Sequence, residues 1–273
     1  MKKQRKENGI PMKVVLLTSD SLRHNFIAHS LAKQLDLALV ITEKKSPAIT
    51  DTASLNKKDK VFMEQHFLGR KNSEEQYFGL YQDFPSTSEL LEVEHGGINS
   101  KEVFERIENT QPDFIILFGT SIIKEQLLNK YPSRIINLHL GLSPYYRGSA
   151  TNLFPYYYEE PECVGGTIHL ATAAIDKGDI LHQFRPDIKE GDSLHDIGNK
   201  VILRAGKLLP EILKKYDRGV IKPKEQKGSG RLCRNKDLSP DLLREIYKKF
   251  EEGLVREYIR EKEKRDAGKP IIE

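Results

Sequence analysis

In the stretch INLHLGLSPYYRG, residues 136–148, two polar side chains interrupt an apolar run: Asn137 and His139, two positions apart. Residues two apart on a strand point the same way, so an amide and an imidazole would project together. A third polar group, Asp176, sits in AAIDKGDIL, where a Lys-Gly pair lets the chain reverse and lets a carboxylate reach the ring of His139. An asparagine amide donates to a developing oxyanion, and an imidazole serves as general acid, general base or cationic donor. An aspartate orients that ring and raises its pKa. Asn137, His139 and Asp176 are thus candidate catalytic groups, equipped for acyl transfer without a covalent enzyme intermediate.

The flanking sequence says what must position them. Lys13–Leu17 is a continuous apolar run, as in a strand buried on both faces; Leu22, Phe26, Ile27, Leu31 and Leu35 recur at helical spacing, and Leu37–Thr42 reads as a second strand. Strand, helix, strand is the opening of a doubly wound sheet whose crossover helices cover a parallel core. The pattern resumes with a helix near Lys101–Glu108, a strand Phe114–Phe118, a helix Lys124–Lys130 and the strand Ile135–His139; further strands begin at Gly166 and Ile180. Open α/β sheets bind ligands at the carboxyl ends of their strands, where Asn137 and His139 fall. The expected fold is therefore α/β: a Rossmann-like, doubly wound, mostly parallel sheet with a helical insertion over about 44–100 and a short C-terminal helical extension. A catalytic domain over 12–216 would precede an extension over 217–273, whose charged stretch Pro240–Ala267 reads as one helix.

Spacing now brings a family into view. The pattern N-x-H, with a proline seven positions after the asparagine and then R-G, stands here as Asn137, His139, Pro144 and Arg147-Gly148; a later G-x-T-x-H followed by a D-x-G turn stands as Gly165, Thr167, His169, Asp176 and Gly178. Both resemble the folate-dependent formyltransferases, which include glycinamide ribonucleotide, methionyl-tRNA and nucleotide-sugar members. The likeness covers roughly Met12–Tyr216, with GRLCRNKDL similar to a K-D-L tail segment of several members. It implies 10-formyltetrahydrofolate as formyl donor, with Asn137, His139 and Asp176 as the catalytic trio. The turn Phe118, Gly119, Thr120, Ser121, Ile122 and Ile123 would line the pterin pocket largely through backbone, joined by Ile175 and Gly178. No metal is expected.

The chain departs from the purine-pathway members after its first strand, where TSDSLRHNF replaces a glycine-rich phosphate cradle. Ser19, Ser21, Arg23 and His24 there either bind an anion at the helix start or serve as capping and surface residues. Arg147 and Tyr146 are further candidates for substrate contact. The tRNA-acting members carry a second barrel-like domain, for which the residues after Tyr216 are too few, so a small amine, in the style of a nucleotide-linked amino sugar, is the expected acceptor and tRNA is not. The lysines edging the polar loop Lys44–Lys60 either point the other way, toward methionyl-tRNA formyltransferase-like activity, or belong to a solvated loop, the favoured reading. The tyrosines Tyr145, Tyr146, Tyr156, Tyr157 and Tyr158 either stack on a sugar or base or pack as core and rim residues.

Two other classes compete. His139, His169, His182, Asp176 and Asp179 together could form a metal site, although this gives Asn137 no role. A non-catalytic folate-binding module would have no need of the acid/base set. Composition excludes more than it selects. Forty-four basic and forty acidic residues leave +4, too interleaved to argue for nucleic acid. Cys163 and Cys233 form neither a disulfide framework nor a zinc pattern. The start MKKQRKENGIPMKVVLL has too short an apolar run for a signal peptide, and no stretch approaches the roughly 20 residues of a membrane span, so a cytoplasmic protein with no membrane partner is expected. The C-terminal helix either packs on the parent domain, the favoured reading, or pairs two copies into a homodimer.

Overall fold

The computed structural model describes residues 11–46 and 51–273; the basic start and residues 47–50 of the expected polar loop lie outside them. Strand β1 (Lys13–Thr18) leads through helix α1 (Leu22–Ala32) to β2 (Asp36–Glu43). Helix α2 (Lys57–Phe78) starts where the Asn56 side chain accepts from the amide of Asp59, satisfying one of the helix's orphan donors. Then follow β3 (Glu89–Val93), α3 (Lys101–Thr110), β4 (Phe114–Leu117), α4 (Glu125–Lys130) and β5 (Ile135–His139).

These five strands form a parallel sheet in the order β3-β2-β1-β4-β5, extended by the antiparallel strands β7 (Gly166–Leu170) and β8 (Ile180–Phe184). The alternation of side chains along each strand divides the core in two. Val14, Leu16, Phe114, Ile116, Ile136 and Leu138 pack in one apolar cluster with residues of α1 and of the long helix α6 (Leu194–Asp217). Val15, Leu17, Ile115, Leu117 and Ile135 face the other way, against Val103 and Ile107 of α3 and Leu127 of α4. Being covered on both faces, the strands read as unbroken apolar runs. The order of connection reverses between β1 and β4, and this switch point opens a crevice at the strands' carboxyl ends.

Three features differ from the sequence expectation. The insertion, expected to be helical, also contributes β3, the sheet's edge, paired with β2 from Leu39↔Glu89 to Glu43↔Val93. Its Glu89 and Glu92 are charges of the kind that keep an edge strand from pairing further, and they hid it from a search for apolar alternation. The charged C-terminal stretch is two helices, α7 (Pro240–Glu251) and α8 (Leu254–Gly268), broken at Gly253, whose φ of 99° is open to glycine at little cost. Leu243, Ile246, Leu254 and Tyr258 of these helices are buried in the same cluster as α1 and α6. Third, a small second sheet joins β6 (Tyr146–Gly148) in parallel to β9 (Arg231–Cys233), tying the R-G segment after β5 to the C-terminal region. Among the described residues, no helix is long and apolar enough to cross a membrane.

Candidate active site

The crevice is a cleft of about 1560 Å³. Its walls come from the start of α1, the turn after β4, the ends of β5 and β7, the Asp176 turn, helix α2 and the residues after β9.

At its centre, strand pairing sets the first contact. Asn137 on β5 is the register partner of His169 on β7, so the two side chains share a face, and Asn137 Nδ2 lies 3.0 Å from His169 Nε2. His169 Nδ1 lies 2.8 Å from the carbonyl of Leu170, which can only accept, so Nδ1 carries a proton, while Nε2 faces both Asn137 and Asp176. The second amide hydrogen of Asn137 is donated to Asp176 Oδ1 at 3.1 Å. Both donors of this asparagine are thus directed at protein groups.

Asp176 reaches the strand end from the turn between β7 and β8 and is the hub of the site. Its Oδ2 accepts from the amide of Gly148 at 2.8 Å and lies 3.4 Å from His139 Nδ1; its Oδ1 lies 3.5 Å from His169 Nε2. Burial alone would raise this carboxyl's pKa, but His139, His169 and the Gly148 amide hold it down to about 2, so it is an anion. The residue has a φ of 49°, a left-handed conformation that aspartate tolerates better than most side chains. The positive φ of the reversal thus falls on Asp176 and not on the glycine of the Lys-Gly pair. Gly178 is needed for another reason, since a Cβ there would stand 1.7 Å from the carbonyl oxygen of Leu170. Gly148, at φ 92°, is likewise irreplaceable: a Cβ would stand 2.2 Å from the carbonyl of Cys233, and the amide that binds Asp176 would have to move.

His139 is buried, with Asp176 on one ring nitrogen and the carbonyl of Tyr146 3.2 Å from the other. Two acceptors favour a ring protonated on both nitrogens. Desolvation outweighs them and holds the pKa below its ordinary value, against the expectation that the carboxylate would lift it. The resting imidazole is neutral near pH 7, with one lone pair facing an oxygen, and is therefore primed to accept a proton when further negative charge appears nearby.

Residues Phe118–Ile122 line the next part of the cleft, as does Ile175 across it; Gly178 lies outside the lining. The Phe118–Ile123 turn is held by groups that sequence reading did not single out. Glu43, buried at the end of β2, accepts from the amides of Ser121 at 3.0 Å and Gly96 at 2.8 Å; burial opposes its charge, but these donors hold its pKa below the ordinary value. The Thr18 hydroxyl donates to the Phe118 carbonyl at 2.8 Å, and Lys45 Nζ donates to the carbonyl of Gly119. Gly119 has a φ of 70° and packs so close to the ring of His24 that a Cβ would lie 2.7 Å from Nε2. A buried glutamate at a strand's carboxyl end was the signal available for Glu43; Lys45 carried none.

Of the residues expected to contact substrate, Arg23 lines the cleft. It is buried against Glu74 of α2, which also accepts from Arg70 Nε at 3.2 Å; burial and the neighbouring Arg70 lower its pKa to about 10, still fully cationic. Arg70 was invisible in the sequence because it belongs to a helix with no motif. Ser19, Tyr146 and Arg147 are buried outside the cleft lining. Ser19 donates to Asp20 at 3.2 Å, and Tyr146 donates to Glu160 from within the apolar cluster of Phe154, Cys163 and Cys233. Nor does the alternative metal set converge: His139, His169 and Asp176 meet, whereas His182 and Asp179 are not among the cleft residues. Among the described residues no group of three or more histidine, cysteine or acidic side chains is placed to hold a metal ion.

The chain resembles known proteins in sequence and in fold. A profile of the formyl transferase family matches residues 12–213, a span that contains Asn137, His139 and Asp176. Methionyl-tRNA formyltransferase of Finegoldia magna is 26% identical over 130 residues, which are 47% of this chain and 42% of that protein. The Clostridium botulinum protein of the same name is 33% identical over 133 residues, 48% of this chain and 42% of the relative. The aligned part thus spans about two fifths of these relatives' length. Among solved structures, glycinamide ribonucleotide transformylase 1 from Symbiobacterium toebii superposes with a TM-score of 0.53 at 19% identity, covering 80% of this chain and 95% of that one. A sugar N-formyltransferase from a Shewanella species gives 0.54 at 20% identity, covering 83% and 78%. At such identities the likeness is one of fold; the family match, which extends over most of the sequence, establishes that the chain belongs to the formyl transferase family.

Proposed function

We propose that this protein transfers the formyl group of 10-formyltetrahydrofolate to an amine of a small, anionic acceptor, with Asn137, His139 and Asp176 as its catalytic residues. The observation that carries the reading is the convergence of these three side chains on one cleft at the carboxyl end of β5, inside the matched family span. The donor supplies the formyl carbon: its bond to the acceptor nitrogen forms and its bond to the folate nitrogen breaks. The backbone of the Phe118–Ile122 turn, faced by the exposed side chains of Ile122 and Ile175, fits the flat folate ring system and would hold it.

Asn137 exchanges one of its inward hydrogen bonds for one to the formyl oxygen as charge develops there. The same charge raises the proton affinity of the neutral His139, which takes the proton of the attacking amine and becomes an imidazolium paired with Asp176. His139 then returns that proton to the departing folate nitrogen. Asp176, anionic throughout, stabilises the charged ring.

An anionic acceptor is supported by Lys45, Lys71, Arg234 and Lys236, which line the same cleft and can balance phosphate groups, although Asp20, Asp51 and Glu75 share the lining and Arg23 and Arg70 already pair with Glu74. A nucleotide-linked amino sugar suits that lining and is the acceptor class we favour, in a cytoplasmic enzyme. Met-tRNA is a second reading, favoured by the names of the relatives at 26–33% identity. The test is release of tetrahydrofolate from 10-formyltetrahydrofolate in the presence of amino-sugar nucleotides, glycinamide ribonucleotide or methionyl-tRNA. Turnover with the first supports the reading, turnover with methionyl-tRNA alone replaces the acceptor, and no saturable binding of 5-formyltetrahydrofolate removes the folate assignment.

A further inference from the structure

The Asp176 carboxylate must meet four partners at once, yet its turn carries a left-handed aspartate and lies largely exposed from Thr172 to Ile175. Beside bonds of its own, such as that from the Thr172 hydroxyl to the Ala174 carbonyl, this turn is braced from outside the matched family span. After α6 the chain returns along the start of β8, where Lys224 and Ile180 exchange both backbone hydrogen bonds, at 2.8 and 2.9 Å. That register delivers the side chain two residues later to the far side of the turn. There the Nε2 of Gln226 donates to the carbonyl of Asp176 at 2.8 Å and to that of Gly178 at 2.7 Å. Both amide hydrogens are committed to the turn, one on each side of Lys177. The amide oxygen is buried without a hydrogen-bond partner, a desolvation cost accepted in keeping this geometry.

We propose that Gln226 is a positioning residue of the site, fixing the Asp176 turn so that the carboxylate stands against Asn137 and His139. Without it two carbonyls lose their donor, and the turn is free to relax toward conformations less costly for a non-glycine residue. A shift of a fraction of an ångström suffices to loosen contacts now at 3.1 Å to Asn137 and 3.4 Å to His139. The segment beyond residue 213 is then part of the machinery: Gln226 holds Asp176 by its main-chain carbonyl, while β9 backs the Gly148 amide that binds the carboxylate itself.

The rate measurement below rests on the formyl-transfer reading; the titration does not. His139 is faced by Asp176 from the turn, by His169 from β7, and by the Tyr146 carbonyl and Arg147 from β6; Asp176 and the Tyr146 carbonyl raise its proton affinity, Asp176 the more. Displacing the carboxylate therefore moves the His139 titration, followed by NMR, to lower pH. Gln226→Ala removes the brace; Gln226→Met removes the donor but keeps the bulk, so that it reports even where the alanine variant fails to fold. Asp176→Asn sets the full scale of the shift. Both Gln226 variants are expected to move the titration in the same direction as Asp176→Asn and by less. They should also lower kcat roughly ten- to a hundredfold, as small misplacements of reacting groups do, with KM for the formyl donor nearly constant. A parent-like titration and kcat in Gln226→Met, with Asp176→Asn shifted, overturns the proposal. Should the parent show no formyl transfer, the titration alone decides it.

Discussion

Two pairs of histidines, one at the centre of the cleft and one between helices at its wall, differ in what lies between the rings. In the first, His139 and His169 have centroids 6.4 Å apart, and the carboxylate of Asp176 lies 3.4 and 3.5 Å from their nitrogens. In the second, His66 of α2, at the cleft wall, and His195 of α6, behind it, have centroids 5.0 Å apart, and the hydroxyl of Tyr247 on α7 lies 3.0 and 3.2 Å from their nitrogens. Burial disfavours the cation in His66 and His195, and Arg70 adds to it in both; His195 adds to it for His66, while Asp196 and Glu74 oppose it only in part at His195, and both are pushed down to about 4. Burial also lowers His139, but there a carboxylate stands against the ring itself and opposes it. A phenol stays neutral and can only bridge, so the second pair joins three helices. A carboxylate stabilises the ring's positive form, so the first can carry a proton through a reaction. Two imidazoles in a cleft do not by themselves make an acid/base site.

The sharpest way to break this division is Asn137→Ala. It removes the amide that shares Asp176 and, in the proposed reaction, donates to the formyl oxygen. Loss of one such donor costs about 2.7 to 4 kcal/mol of barrier, so single-turnover transfer should slow roughly a hundred- to a thousandfold. A near-normal rate would remove Asn137 from the chemistry. Next in size, Asp176→Asn keeps the shape and removes the charge, and should cost about a hundredfold, the lower end of what a positioned acid/base group contributes. His139 would then protonate only at still lower pH, so a pH–rate profile unchanged in position would separate Asp176 from His139.

How much of this could be read from sequence follows the same division. The unbroken apolar strands and the motif at their carboxyl end are local, so the α/β fold, and Asn137 and His139 on one face of β5, were legible at once. Asp176 was legible because a D-x-G turn is local too. Arg70, Gln226 and the His66–Tyr247–His195 bridge depend on where α2, the Lys224 segment and α7 come to rest, which tertiary packing decides and no short spacing records. Edge strand β3 was missed because its exposed glutamates suppress the alternation that marks a strand. Ser19, Arg147 and Tyr146 mark the opposite failing: polar types at suggestive positions that the fold uses internally.

Acid stability distinguishes the pairs less dramatically. A base whose folded pKa is depressed contributes stability that is complete above its unfolded value and declines as pH falls toward the folded one. For His66 and His195 that window runs from the ordinary 6.5 down to about 4. Between those limits the unfolded chain binds more protons, and urea-denaturation stability should fall by up to about 1.4 kcal/mol per pH unit for each ring. Asp176, depressed to about 2, adds a loss only below its ordinary 3.8. His195→Gln should flatten the slope from 6.5 to 4 and leave the lower limb. An unaltered slope would mean that the titrating groups lie elsewhere.

The smallest effect is the most discriminating. Tyr247→Phe deletes one hydroxyl and leaves His66 Nδ1 and His195 Nε2 without their shared partner, while the ring keeps its edge contact with Phe62 at a centroid distance of 5.9 Å. A buried group left unpaired costs about 1–3 kcal/mol; Tyr247 is partly exposed and water can replace some of what is lost, so about 1 kcal/mol is expected. In a chain of this size that lowers the melting temperature by roughly 2–4 °C. Formyl transfer should be unchanged, because the phenol carries no charge to the reacting atoms and His66 reaches the cleft only as part of its wall. If Tyr247→Phe instead slowed transfer tenfold in a protein that still melts normally, the hydroxyl would be acting on the bound acceptor, and the helix bridge would have to be counted with the catalytic pair.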